Sequence, residues 1–185
     1  GDIIAAASAG DAEQVRRLID GGAPLNEVGP GGQTALMSAC LRGHEDVIEE
    51  LLRTGADATI GEKDGYTCPH GVGFQGRGSP RLMAVLQRHG VDLSHRHEDG
   101  YTPLHRACWG PSPRHTETVK AFINAGVDPE ERTGNGQLPV DIAASPETQR
   151  LLREAAARKR LQAAAPQTPR TAAASGPQDG SDREL

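Results

Sequence analysis

Aromatic side chains are scarce in this 185-residue chain: one Trp, two Tyr and two Phe make up 3% of the sequence. Any core must therefore come from the aliphatic residues within its 36% hydrophobic content. Long apolar runs are missing as well, and no stretch approaches the ~20 residues that a membrane-crossing helix needs. Positive charge is not in excess. Twenty Lys and Arg stand against 25 Asp and Glu, a net charge of -5, which excludes a globally basic nucleic-acid binder. Cysteine is sparse too: Cys40, Cys68 and Cys108 are odd in number and lack CxxC spacing. That pattern gives no disulfide framework and points to a reducing intracellular compartment, the cytoplasm by default. The chain opens on Gly1 rather than Met, which suits a removed targeting segment and a piece of a longer chain equally well.

What is abundant is glycine in register. Asp20-Gly-Gly-Ala-Pro24, Arg53-Thr-Gly-Ala-Asp57, Arg88-His-Gly-Val-Asp92 and Asn124-Ala-Gly-Val-Asp128 are variants of one phrase. Their glycines, Gly22, Gly55, Gly90 and Gly126, are separated by 33, 35 and 36 positions. A second glycine, Gly32, Gly65, Gly100 or Gly136, follows each at a constant offset of ten. Extra residues enter only before the phrase, two around Phe74 to Pro80 and three around Trp109 to His115. Insertions confined to one connection are what loops between stacked units tolerate.

Each unit reads as two short helices. In the second, Leu18, Leu51, Leu86 and Phe122 form one apolar column, and Val15, Ile48, Met83 and Val119 another. Spacings of three to four residues put both on one helical face. The glycine of the phrase ends the helix, because a left-handed terminal residue is cheap only for glycine. Asp11, Glu13, Glu45, Asp46 and Glu117 sit near the opposite end, where the helix dipole favours negative charge.

The first helix carries the most telling phrase. Gly100-Tyr-Thr-Pro-Leu-His-Arg-Ala107 contains Thr-Pro-Leu-His-x-Ala, and residues 32–39 and 136–143 are looser versions. Threonine caps a helix, proline suits its first turn, and small residues such as Ala39, Ala107 and Ala143 let helices stack closely. In this phrase and its period the chain resembles the ankyrin-repeat family. The resemblance implies an all-α solenoid of stacked helix-turn-helix units joined by hairpin-like loops. The array is expected over residues 1–157, in units of about 2–31, 32–64, 65–99, 100–135 and 136–157. Residues 158–185 are expected to be a helix end and a disordered, low-complexity tail rich in Ala, Pro, Ser, Thr and Gly. The final helix is expected over Leu151 to Leu161.

Several motifs invite chemistry and do not hold it well. Gly71-Val-Gly-Phe-Gln-Gly76 matches GxGxxG, yet no apolar strand precedes it and Gly78 and Pro80 follow; dinucleotide binding needs strand, turn and helix in that order. Cys68, His70, His105 and Cys108 suggest a zinc site. The repeat register explains both histidines without a metal, as the same column of the phrase. The serines stand outside any GxSxG elbow. Arg158-Lys159-Arg160 reads first as a solvated helix end. The expectation is a protein that is not an enzyme and holds no cofactor and no metal.

The remaining signal is the placement of the aromatics. Phe122 falls in a core column. Tyr66 and Tyr101 follow the signature glycine at the hairpin, and Phe74 and Trp109 close the first helices. Stacking would align these four in one strip, extended by Gln33, Leu41 and Arg42 in the second unit. Aromatics and Arg are enriched at binding hot spots, so the strip is the preferred partner-binding surface; the other reading is that Phe74 and Trp109 cover the inserted loops. The family resemblance likewise implies binding of a protein partner through first helices and hairpin tips. The alternatives are a structural subunit or assembly factor of a large complex, and nucleotide binding at Gly71–Gly76. The third unit departs from the pattern, with Pro69, Gly71 and Gly73 in its first helix and Gln87 in an apolar column of its second. It should be locally soft, as a hinge, as a loop shaped by a partner, or as drift in a tolerated repeat.

Overall fold

A computed structural model describes residues 2–166. Among them ten helices follow one another: α1 (Ile3–Ala9), α2 (Ala12–Asp20), α3 (Ala35–Arg42), α4 (Glu45–Arg53), α5 (Cys68–Gln75), α6 (Pro80–Arg88), α7 (Pro103–Cys108), α8 (Pro113–Asn124), α9 (Pro139–Ile142) and α10 (Pro146–Ala164). There is no strand among the described residues. Odd-numbered helices open the units and pack on one another, α1 on α3, α3 on α5, α5 on α7 and α7 on α9; the even-numbered helices stack behind them. The result is an all-α solenoid.

The glycine columns do what their spacing suggests. Gly22, Gly55, Gly90 and Gly126 have φ of 87°, 101°, 70° and 101°, directly after the second helices, and the signature glycines are left-handed as well. Each signature glycine closes a hairpin, as in Glu62 N–H to Tyr66 O at 2.9 Å and His97 N–H to Tyr101 O at 3.0 Å. Val15, Ile48, Leu51, Met83, Leu86, Val119 and Phe122 are all buried in one continuous core. Leu18 is only partly buried, because among the described residues the first unit has a neighbour on one side alone.

Neighbouring units are tied by the histidine of the phrase. His105 accepts the Thr102 N–H at Nδ1 (2.9 Å) and, in the tautomer this leaves, donates from Nε2 to Glu131 O at 2.6 Å. His70 does the same between Thr67 N–H (3.3 Å) and Tyr101 O (3.3 Å). One ring therefore caps its own helix and reaches the next unit. The hairpins also stack on each other: Lys63 N–H meets Gly32 O at 3.1 Å and Gly134 N–H meets Gly100 O at 2.8 Å. Between these two, His97 Nε2 takes the role of the amide and donates to Asp64 O at 2.6 Å.

Three expectations need correction. First, the cysteines do form a disulfide: Cys40 is bonded to Cys68, with Cα atoms 5.5 Å apart. Cys40 is the eighth residue after its signature glycine and Cys68 the third after the next one. Packing of α3 on α5 brings those two columns face to face, which spacing along the chain does not reveal. Second, Pro69 is not a helix-interior residue, because α5 starts at Cys68 and the ring lies in the first turn, where a missing N–H costs nothing. Third, the last helix begins at Pro146, capped by Ser145 Oγ accepting from Thr148 N–H at 3.1 Å, and runs on to Ala164. Residues 167–185, most of the expected tail, lie outside the described residues.

Close approach accounts for the two central glycines of α5. A Cβ on Gly71 would stand 2.9 Å from Met37 Cε and from Leu41 Cδ2, and one on Gly73 would collide with the Pro103 carbonyl oxygen. The Pro103 carbonyl is main chain and has nowhere to go. Gly73→Ala should therefore lower stability by about 1–3 kcal/mol, roughly 3–10 °C in Tm. Gly31→Ala, a position with nothing within 4 Å of the added carbon, should leave Tm within about 2 °C. Parallel thermal melts followed by circular dichroism check both.

Candidate functional site

Four of the five aromatic side chains gather on the face built by the first helices and hairpins, and what gathers three of them is a cation. The Arg106 guanidinium lies 4.4 Å from the Tyr66 ring centroid, 4.8 Å from Trp109 and 5.6 Å from Tyr101. Trp109 and Tyr101 also touch, with centroids 4.5 Å apart and planes tilted by 59°. Tyr66 stacks on His97 at 3.9 Å. Arg106 sits at the variable position of Thr-Pro-Leu-His-x-Ala, so the hairpin ring of its own unit and that of the unit before fall on either side of it.

Asp99 holds this arrangement in place. It takes an ion pair from Arg106 Nη2 at 2.5 Å, a hydrogen bond from the Tyr66 hydroxyl at 2.6 Å and another from Tyr101 N–H at 2.9 Å. Arg106 Nη2 donates to the Tyr66 oxygen as well. Burial pushes the Asp99 carboxyl up, but these donors outweigh it and hold it below the usual carboxylate range. The hydrogen bond to Asp99, with burial, pushes the Tyr66 phenol above its ordinary value. Both groups are therefore locked in the protonation states that make the contact. The sequence alone singles out neither Arg106 nor Asp99. Their signal is an Arg and an Asp flanking two signature tyrosines, visible only once adjacent units are superposed in space.

Phe74 stands beside this cluster rather than in it. It is 58% exposed, and Trp109 is 37% exposed, so both rings keep a face open to solvent. Phe74 lines a cavity of about 150 Å³ together with Met37, Leu41, Glu62, Tyr66, His70, Gly71 and Arg106. Leu41 thus joins the strip. Arg42 is exposed one residue further on, in the last turn of α3. Gln33 is half-buried, and its side chain is engaged within its own unit by Ser38 Oγ at 3.3 Å.

The other motifs resolve on geometry. Gly71–Gly76 is the body of α5 and its left-handed C-terminal glycine, so no loop is there to wrap a phosphate. Cys68 is in the disulfide, and His70 and His105 spend both ring nitrogens on the capping and inter-unit contacts. Among the described residues no group of three His, Cys, Asp or Glu is arranged to hold a metal. Lys159 pairs with Asp128 at 2.8 Å and Arg160 with Glu130 at 2.5 Å, which fastens α10 to the hairpin before it. Cys108 is buried, and burial pushes its thiol up to about 12. Gln87, the odd residue of the third unit, donates to Ala125 O at 2.6 Å and links it to the fourth.

Comparison with known proteins matches this geometry. A family model described as ankyrin repeats (3 copies) matches residues 3–70, and a second, ankyrin repeats (many copies), matches residues 86–143. The interval between them holds most of α5 and of α6, where the third unit departs from the pattern. The chain is 31% identical to the mitochondrial disaggregase of Bos taurus over 156 residues, 82% of this chain and 22% of that protein. It is 29% identical to the human BCL-6 corepressor-like protein 1 over 65% of the chain, which is 7% of that protein. Against the mouse ankyrin repeat and SOCS box protein 16 the identity is 26% over 68% of the chain and 36% of that protein. The chain therefore spans little more than a third of these relatives' length at most.

The inter-unit histidines make the face sensitive to acid. Burial pushes the His70 imidazole down to about 4 and also lowers His105, against the backbone hydrogen bonds that favour their charged forms. An unfolded chain protonates these rings near pH 6.5 while the folded one resists, so stability is full above about pH 6.5 and is lost as pH falls toward about 4. Tm measured from pH 7.5 to 4 should decline across that window. In His70→Gln the slope should be shallower, with a lower Tm at pH 7.5.

Proposed function

This chain belongs to the ankyrin-repeat family, and we propose that it is a non-catalytic module that holds a partner protein on its first-helix face. Ankyrin repeats are generally protein–protein interaction modules, and the family is generally non-catalytic. The observation that supports this reading here is the pairing of two exposed rings, Phe74 and Trp109, with a pre-built platform. Tyr66, Tyr101 and Arg106 are already fixed by Asp99 and by mutual stacking, so a partner would find them with little rotamer freedom left to lose.

The chemistry of the face defines what it can take. The cavity between Leu41, Met37 and Phe74 has room for one aliphatic side chain, and Trp109 and Tyr101 offer a flat apolar surface one unit along. Arg42, together with Gln33, extends the surface into the second unit. A partner segment lying across the first helices would place apolar side chains one unit apart. In the disaggregase, the corepressor-like protein and the SOCS box protein the corresponding region is a minor share of a longer polypeptide, which suits a module that brings other activities to a target.

The test is capture of a partner with the intact chain beside a Tyr66→Ala/Tyr101→Ala/Trp109→Ala variant whose fold is verified by circular dichroism. The variant should lose the partner that the intact chain retains. Trp109→Ala alone should weaken binding by about 2 kcal/mol or more, roughly 30-fold. A partner held equally by both chains would move the contact to the second helices or to α10. A chain that aggregates alone and is soluble only with a fixed neighbour would replace this reading with that of a structural subunit.

A further inference from the structure

The disulfide joins α3 to α5, the two helices that also supply Leu41, Gly71 and Phe74 to the cavity. The eighth residue after one signature glycine faces the third after the next. At the following junction that pair of columns is filled by Gly73 against the Pro103 carbonyl. At the junction of the second and third units it is filled by Cys40 and Cys68, joined across 28 residues of sequence. One helix of the bonded pair is poor in intrinsic helix propensity: α5 has Gly71 and Gly73 among its eight residues. Each mid-helix glycine favours the open chain relative to alanine. The covalent tie is thus attached to a helix with little stability of its own.

We propose that Cys40–Cys68 is a thiol–disulfide exchange site whose oxidation state sets the order of α5, and with it the shape of the cavity lined by Leu41, Gly71 and Phe74. This goes beyond the partner-binding reading and stands whether or not a partner occupies the cavity. Both residues are almost fully buried, Cys40 at 0% and Cys68 at 2% exposure, so exchange requires α5 to open. Cys68 is the first residue of that helix, where fraying begins. The positive end of the helix also favours the Cys68 thiolate as the leaving sulfur, which directs attack to Cys40. The incoming thiolate of a reduced dithiol forms a mixed disulfide with Cys40 as the Cys40–Cys68 bond breaks. The second thiol of the same reductant then resolves it. Two electrons pass to the protein, Cys40 and Cys68 each take up one proton, and the dithiol leaves as a disulfide. Cys108 stands apart from this exchange, buried in α7 with a thiol that stays protonated at neutral pH.

The experiment uses the full chain, equilibrated in an oxidising glutathione buffer, beside an aliquot reduced with dithiothreitol. Denaturation and alkylation should label one cysteine, Cys108, in the first and three in the second; three labelled residues in both would overturn the proposal. Hydrogen exchange on the native protein should show amides of α5 exchanging at least about tenfold faster after reduction while α8 and α10 keep their protection, with Tm lower by roughly 10 °C. Unchanged exchange in α5 would overturn it too. Alanine already occupies the third-residue column at Ala35 and the eighth-residue column at Ala144, so Cys40→Ala/Cys68→Ala is a mild replacement. That variant should match the reduced form and ignore dithiothreitol. A double variant that keeps the protection of the oxidised form, or that still responds to dithiothreitol, would refute the role of the bond.

Discussion

A unit of two short helices has too little interior to hide its own leucines, and every other feature of this chain answers to that constraint. Leu51 and Ile48 are fully buried because α6 and α2 flank α4 while α3 of the same unit covers the rest. The same need fixes where polar groups go. Side chains that would be loose on a single helix pair are enlisted across the junction, as with Glu50, buried in α4, between Arg53 on its own helix and Arg16 on α2. The hydrogen bond from Arg53 comes first among the influences that keep its carboxyl below the usual carboxylate range. On the outer face Arg81 of α6 reaches Asp46 at 2.7 Å and Glu49 at 3.2 Å on α4. Such exposed pairs add little stability one by one, and here they join consecutive units.

The architecture is legible because it is written in residues with a single physical meaning. A left-handed glycine after a helix, and a threonine before α3, α5 and α7, signal the same thing each time they recur, and repetition in register turns weak signals into a strong one. What stays hidden depends on lateral register, meaning which column of one unit touches which column of the next. Cys40 and Cys68 look unrelated in sequence because the facing columns differ by five positions within the unit. Arg106 looks like a filler in the phrase, although it is the hub around which Tyr66, Tyr101 and Trp109 assemble. For the strip itself, the aromatic columns are readable and their exposure is not, since nothing in the chain says whether a ring at a helix end folds back over an inserted loop. Phe74 and Trp109 both keep part of their surface open.

The third unit shows how a low-propensity segment is retained. Taken alone, a helix with two central glycines is a defect. Placed between Leu41 and Pro103, Gly73 lets α5 approach the α7 backbone and Gly71 leaves room for the side-chain ends of Met37 and Leu41, so a side chain at position 73 would force the stack apart. Local softness and tight packing are compatible: the helix has little stability of its own and much from its surroundings. A covalent bond at its first residue and a cavity along its outer edge are then properties of one element, not separate curiosities of the sequence.

His97 gives this array a degree of freedom that a purely main-chain ladder lacks. At the contacts on either side of it an amide meets a carbonyl, and their separation is the fixed length of a peptide hydrogen bond. At the middle contact an imidazole fills the gap, so the spacing there is written in a side chain. The same ring accepts the Asp99 N–H at Nδ1 (3.1 Å) and stacks on Tyr66, so one side chain both sets this spacing and supports the aromatic cluster. A change at this one position would therefore reach the hairpin contact and the aromatic face together.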